Sequence, residues 1–128
     1  MYEADLDTLL FFDAQPAALP LFLALEEKLL ARFPEARKRV QKTQITYDHR
    51  HVFACVSFAR VKRKAELPEA WLTLTLGLPY PLESKRVAVK TEVYPGRWTT
   101  HLVLGSQEEL DEELMGWLDE AYAFSERK

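Results

Sequence analysis

The sequence predicts an α+β fold, a two-layer sandwich in which an antiparallel sheet of about five strands carries N- and C-terminal helices on one face. Three observations predict it. Between Thr43 and Leu104 several stretches alternate apolar and polar residues with the period of two that marks a half-buried strand. Most of those stretches are joined by connections too short for a parallel crossover. At both ends of the chain the apolar spacing changes to the i, i+3, i+4 pattern of a helix with one buried side. No repeat, low-complexity tract or interdomain linker interrupts residues 1–128, which read as a single domain.

The elements follow in order. Asp5 can cap a short helix through about Phe12, because its carboxylate can accept free backbone N–H groups of the first turn. A second helix is predicted to begin between Pro16 and Leu21 and to end before Pro34. It buries Leu21, Phe22, Leu25, Leu29 and Phe33 and turns Glu26, Glu27 and Arg32 away. Pro34 to Lys42 reads as a basic connector. A hairpin then runs from Lys42 to Ala59, with Ile45 and Tyr47 on one face and Gln44, Thr46 and Asp48 on the other. Its turn is Asp48-His49-Arg50-His51. Arg60 to Pro68 reads as a loop around Arg60-Val61-Lys62-Arg63-Lys64. From Trp71 to Leu78 the alternation is so regular that Leu72, Leu74, Leu76 and Leu78 must share a face, leaving Trp71, Thr73 and Thr75 on the other. Lys85 to Tyr94 and Trp98 to Leu104 are predicted as an antiparallel pair, because Tyr94-Pro95-Gly96-Arg97 has the composition of a tight turn. Ser106 and Glu109 form a capping box, and the helix placed after it buries Leu110, Leu114, Trp117, Leu118, Ala121 and Tyr122.

Composition narrows the class further. Hydrophobic residues make up 48% and charged residues 29% of 128 positions, which is ordinary for a globular domain that needs no disulfide or structural metal. One cysteine, Cys55, excludes an internal disulfide framework. With an acidic start and no apolar run of membrane-spanning length, this predicts a cytoplasmic protein with no membrane partner. The net charge of -3 is unevenly placed: residues 35–64 hold nine Lys and Arg against two Asp and Glu, whereas residues 102–128 hold two against eight. Acidic ends flank a basic middle.

The strongest candidate surface is the sheet face without leucines. On the predicted pairing it gathers Gln44, Thr46, Trp71, Thr73, Thr75, Lys90, Glu92, Tyr94, Arg97, Thr99 and His101. Cations there can hold an anionic ligand, and the rings supply contact area. The bland alternative is a solvated face or a homodimer contact. Arg60–Lys64, with Arg37, Lys38, Arg39 and Lys42, has the charge to meet phosphates, but the pI of 5.6 and the lack of an RNA-binding signature argue against a nucleic-acid partner. Glu108, Asp111, Glu112, Asp119 and Glu120 present carboxylates along the last helix, suited to a hard cation or simply to solvent. Cys55 with a histidine can be imagined as nucleophile and base, yet a lone cysteine inside a strand reads first as a small buried hydrophobe. No glycine-rich phosphate loop is present.

Lys-Thr-Gln-Ile-Thr-Tyr from Lys42, Phe53-Ala-Cys-Val, the run from Leu74 to Val87, Val93 to Leu104, and above all Glu109 to Tyr122 resemble, in order, a family of small bacterial domains of unknown function. That family is similar to the YdhG-like domains. The resemblance implies the same α+β architecture and, through YdhG-like members regarded as frataxin-like iron chaperones, a link to iron; it implies no catalytic residue. The expectation is a non-enzymatic binding module using the open sheet face for an anionic ligand, a protein partner or a second copy. Trp71, Lys90, Tyr94, Arg97 and His101 are its ligand-binding residues, with no catalytic residue, metal ligand or cofactor assigned. Two alternatives stand beside it: an iron chaperone using the acidic last helix, and a small enzyme built on Lys90, Tyr94, Arg97 and His101.

Overall fold

A computed structural model describes residues 5–127; the first four residues of the acidic start lie outside them. Helix α1 (Leu6–Phe11) is capped by Asp5, whose Oδ1 accepts the Thr8 N–H at 2.9 Å. Two 3-10 turns, Phe12–Ala14 and Pro16–Ala18, lead into α2 (Leu19–Arg32), with a proline in its first turn. Six strands follow: β1 (Arg37–Val40), β2 (Gln44–Asp48), β3 (Val52–Ser57), β4 (Leu72–Leu78), β5 (Val87–Tyr94) and β6 (Arg97–Leu104). Helix α3 (Glu112–Glu126) closes the fold. The sheet order is β1-β2-β3-β4-β6-β5, every neighbouring pair antiparallel.

The α+β class and the antiparallel sheet therefore agree with the sequence reading, but there are six strands, not five. The added strand is β1, inside the segment read as a basic connector. Its four residues pair Arg37 with Asp48, Lys38 with Tyr47, Arg39 with Thr46 and Val40 with Ile45. A short, heavily charged edge strand carries little apolar signal, and that charge also blunts the edge against pairing with other chains.

One sheet face carries the core. Leu72, Leu74, Leu76 and Leu78 are all buried, flanked in register by Ala54 and Val56 of β3 and Leu102 and Leu104 of β6. Helix α3 packs on β3 and β4 through Leu114, Met115, Trp117, Leu118 and Ala121. Tyr122 stacks on Phe33 at a ring separation of 4.6 Å. A bulge opposite Tyr47 and Asp48 leaves Phe53 unpaired and turns it inward, edge-on to Phe33 and Tyr122. Arg32 ties α2 to α3, reaching Asp119 at 2.6 and 2.8 Å. No helix among the described residues covers the other face.

Three local expectations are corrected. The Ser106–Glu109 capping box closes a separate 3-10 turn, Gln107–Glu109, and α3 begins later with its own cap, Asp111, which accepts the Leu114 N–H at 3.0 Å. At the β5–β6 turn Gly96 has φ of +74°, as the composition demands. Irregularities between Val87 and Val89 and between Glu92 and Tyr94 break the simple alternation in β5. Lys90 and Glu92 consequently pair with Thr100 and Trp98 in the rows of Leu76 and Leu78, on the helix-covered side.

The third correction is Glu26, placed by the sequence reading on the outer side of α2 but fully buried. Its Oε1 lies 2.7 Å from the Tyr47 hydroxyl and 2.9 Å from Lys38 Nζ, which also meets Thr8 Oγ1 and lies 5.4 Å from the centre of the Phe22 ring. One carboxylate joins α1, α2, β1 and β2. Removing a single partner from a buried pair leaves an uncompensated charge, so Lys38→Met should cost about 3 kcal/mol of stability. The double variant Lys38→Met/Glu26→Gln should recover much of that loss. Urea unfolding of the single and double variants checks both, and a Lys38→Met midpoint equal to wild type would refute the assignment.

Candidate functional site

The middle of the uncovered face is a lane of short, uncharged side chains. Register places Thr46, Cys55, Thr75 and His101 in one row across β2, β3, β4 and β6, and Gln44, Ser57, Thr73 and Val103 in the next. The Thr75 hydroxyl lies 2.8 Å from His101 Nδ1, and Thr73 donates to the Ala59 carbonyl at 2.8 Å. Thr73 is fully buried, its hydroxyl covered by the chain at Ala59. Burial pushes the Cys55 thiol up, only partly offset by its hydrogen bond to Thr75, and burial lowers the His101 pKa. Thiol and imidazole are both neutral at pH 7 and stand two strands apart, roughly 10 Å at ordinary strand spacing. They do not form a nucleophile and base pair.

At one end this lane opens into a depression of about 760 Å³ lined by Arg37, Lys38, Arg39, Asp48, Arg50, His51 and Val52. Asp48 organises it. Its largely buried carboxylate takes Arg37 through Oδ1 at 3.0 Å and Arg39 through Oδ2 at 3.2 Å, while Arg37 also donates to the His49 carbonyl at 2.8 Å. Two guanidinium groups are thus held side by side on β1. From the β2–β3 turn Arg50 faces the same space with no ion-pair or hydrogen-bond partner among the described residues. His51 is anchored by its Nδ1 to the Ser125 carbonyl at 3.0 Å, which leaves Nε2 unused. His49 is pinned between Glu126 and Glu35, fastening the turn to the end of α3.

The five residues singled out from sequence are not brought together. Trp71 precedes β4, is buried, and stands edge-on to Phe58. Lys90 is turned to the helix side and pairs with Glu83 at 2.6 Å. His101 lies mid-lane, while Tyr94 and Arg97 are exposed on the open face at the far β5–β6 turn. The arginines of the depression were visible as charge but not as a site, because β1 was not visible as a strand. The spacing of Arg37 and Arg39 two residues apart was the available signal.

The carboxylates of α3 are engaged with the protein itself. Arg86 meets Asp111 at 2.9 Å and Glu113 at 3.0 Å, Arg32 meets Glu112 and Asp119, and the Tyr80 hydroxyl donates to Glu120 at 2.7 Å. The Leu114 N–H, and then Arg86, hold the Asp111 carboxyl below its usual range. Among the described residues no three His, Cys, Asp or Glu side chains are grouped so as to hold a metal ion, and no helix is long and apolar enough to cross a membrane.

These features define an open-faced α+β domain with a basic seat at one sheet edge. A family model described as Domain of unknown function (DUF5655) matches residues 10–125, and the chain belongs to that family. The likeness to YdhG-like domains, with the iron handling it implies, is not part of that match. No curated protein and no solved structure matches the chain.

The depressed His101 pKa has a consequence for stability. Relative to its ordinary value of 6.5, the folded state favours the neutral ring, so on acidification the unfolded chain takes up this proton first. The stability so contributed is present above about pH 6.5 and is lost as pH falls through the lower, folded value. Urea unfolding at a series of pH values should show wild type losing stability relative to His101→Gln as the pH is lowered through about 6.5 and below. A constant difference across that range would contradict it.

Proposed function

We propose that this domain is a non-enzymatic binding module that takes a small anion at the basic end of its open sheet face. The observation that carries the reading is the use of Asp48: one largely buried carboxylate pairs with both Arg37 and Arg39 beside an open depression that Arg50 and His51 also line. Guanidinium groups are planar, permanently charged and matched to two oxygens of a phosphate or carboxylate, so a fixed pair with a third nearby is a good anion seat. Arg37, Arg39 and Arg50 outnumber Asp48. Tyr94, Arg97 and His101 belong to the same face, where they extend the surface offered to whatever carries the anion.

The non-enzymatic part of the reading rests on the chemistry of the lane. Its thiol is held protonated, and the Asp48 carboxylate of the depression is committed to Arg37 and Arg39.

Titration with inorganic phosphate, followed by calorimetry and by backbone amide shifts, tests the proposal. Saturable binding should move the amides of residues 37–39 and 50–52. Arg39→Ala and Arg50→Ala should each weaken it about tenfold, the effect of losing one charge-assisted hydrogen bond. Absence of saturable shifts, or binding indifferent to both substitutions, would overturn it.

A further inference from the structure

The basic depression does not end at the arginines. A second hollow of about 250 Å³ adjoins it on the same face, lined by Val52, Phe53, Ala54, Cys55, Thr75, Leu76, Gly77 and Thr99. Val52, 42% exposed, is a wall of both. Not one residue lining the second hollow carries a formal charge, whereas Arg37, Arg39 and Arg50 line the first. The Thr99 hydroxyl offers a hydrogen bond to a neutral polar group, the Thr75 hydroxyl keeps one acceptor position beside its bonds to His101 and Cys55, and the Gly77 backbone leaves that part of the floor without a side chain. The hollow falls below the volume of pockets that hold drug-sized ligands, which start at about 300 Å³. Its size suits a single sugar ring. Arg37 and Arg39 reach from β1 to Asp48 on β2, and from there to Gly77 on β4 is two strand spacings, roughly 10 Å, within reach of one phosphorylated monosaccharide.

We infer that the ligand is an organic phosphomonoester with a neutral, hydroxylated, sugar-sized body, its phosphate seated among Arg37, Arg39 and Arg50 and its body lying along Thr75, Gly77 and Thr99. This rests on the anion seat proposed above and adds the ligand class. The two hollows divide the work: charge is recognised at the rim and shape along the lane. Free phosphate uses only the first and gains nothing from the second. A neutral sugar finds only the second, shallow and without charge.

The test compares inorganic phosphate, glucose 6-phosphate and glucose as probes on the intact chain, by calorimetry and backbone amide shifts. Glucose 6-phosphate should bind at least about tenfold more tightly than phosphate, the gain expected from one or two extra hydrogen bonds. It alone should move the amides of Thr75, Gly77 and Thr99. Gly77→Val, which suits a strand but fills the hollow, should remove that advantage and leave phosphate binding unchanged; Thr99→Phe should do the same from the neighbouring strand. Equal affinities for the two phosphates, with no shifts at Gly77 or Thr99 in the wild-type chain, would overturn the ligand class and leave the anion seat standing. No binding of either phosphate would overturn the seat, and this inference with it.

Discussion

The geometry of the open face depends on an ion pair that lies on the opposite side of the sheet. Lys38 points into the core because Glu26, buried on α2 and itself accepting from the Tyr47 hydroxyl, holds it there. Side chains alternate along a strand, so fixing Lys38 inward obliges Arg37 and Arg39 to point outward, where Asp48 receives them. A four-residue edge strand of mostly charged residues has almost no hydrophobic pattern to set its register, and a slip of one residue would exchange its faces. The buried pair supplies what the pattern lacks. A carboxylate in the core is an expensive device for stability alone, and its value here is the specification of one register.

The uneven charge of the chain is resolved in the same layout. The acidic last helix meets basic residues from elsewhere in the chain: Arg32 from α2, and Arg86 from just before β5, which also lies against the Trp117 ring. Exposed ion pairs of this kind contribute little individually, but they occupy the carboxylates of α3. The basic middle of the chain receives less compensation. Around the depression Asp48 is the one carboxylate facing three arginines, Arg37, Arg39 and Arg50, so part of the excess charge of residues 35–64 becomes a local field at the β1 edge.

Much of this architecture was legible where the period was clean. Trp71 to Leu78 announced both its strand and its buried leucines, and Tyr94 to Arg97 announced its turn. Legibility failed where a short-range rule was overridden by something distant. β1 was hidden because its pairing relies on Glu26, twelve residues from Lys38. Glu26 was assigned to solvent as a charged residue, although it follows Phe22 by four positions and precedes Leu29 by three, which places it on the buried side of α2. Bulges did the rest. One unpaired residue in β5 moved Lys90 and Glu92 to the helix side, and one in β3 turned Phe53 into the core. Period-two reading has no means of locating an extra residue in advance. The basic depression suffered from the first failure, since its charges were evident and their common face was not.

The open face also differs from the ordinary solvated side of a sheet in a way that bears on its use. Strands that merely face water usually carry long charged side chains, which shield the backbone and favour solubility. In β3 and β4 the uncovered side instead presents Cys55, Ser57, Thr73, Thr75 and Gly77, none charged, while long cationic chains stand at the rims: Arg37, Arg39 and Arg50 at one, Arg97 at the other. Small residues at the centre and large ones at the edges make a shallow trough. Thr73 and Ser57 are buried at its end, where both are hydrogen-bonded to Ala59. A surface that only had to stay wet would gain nothing from that arrangement, whereas one that must admit a ligand needs a low floor and a charged rim.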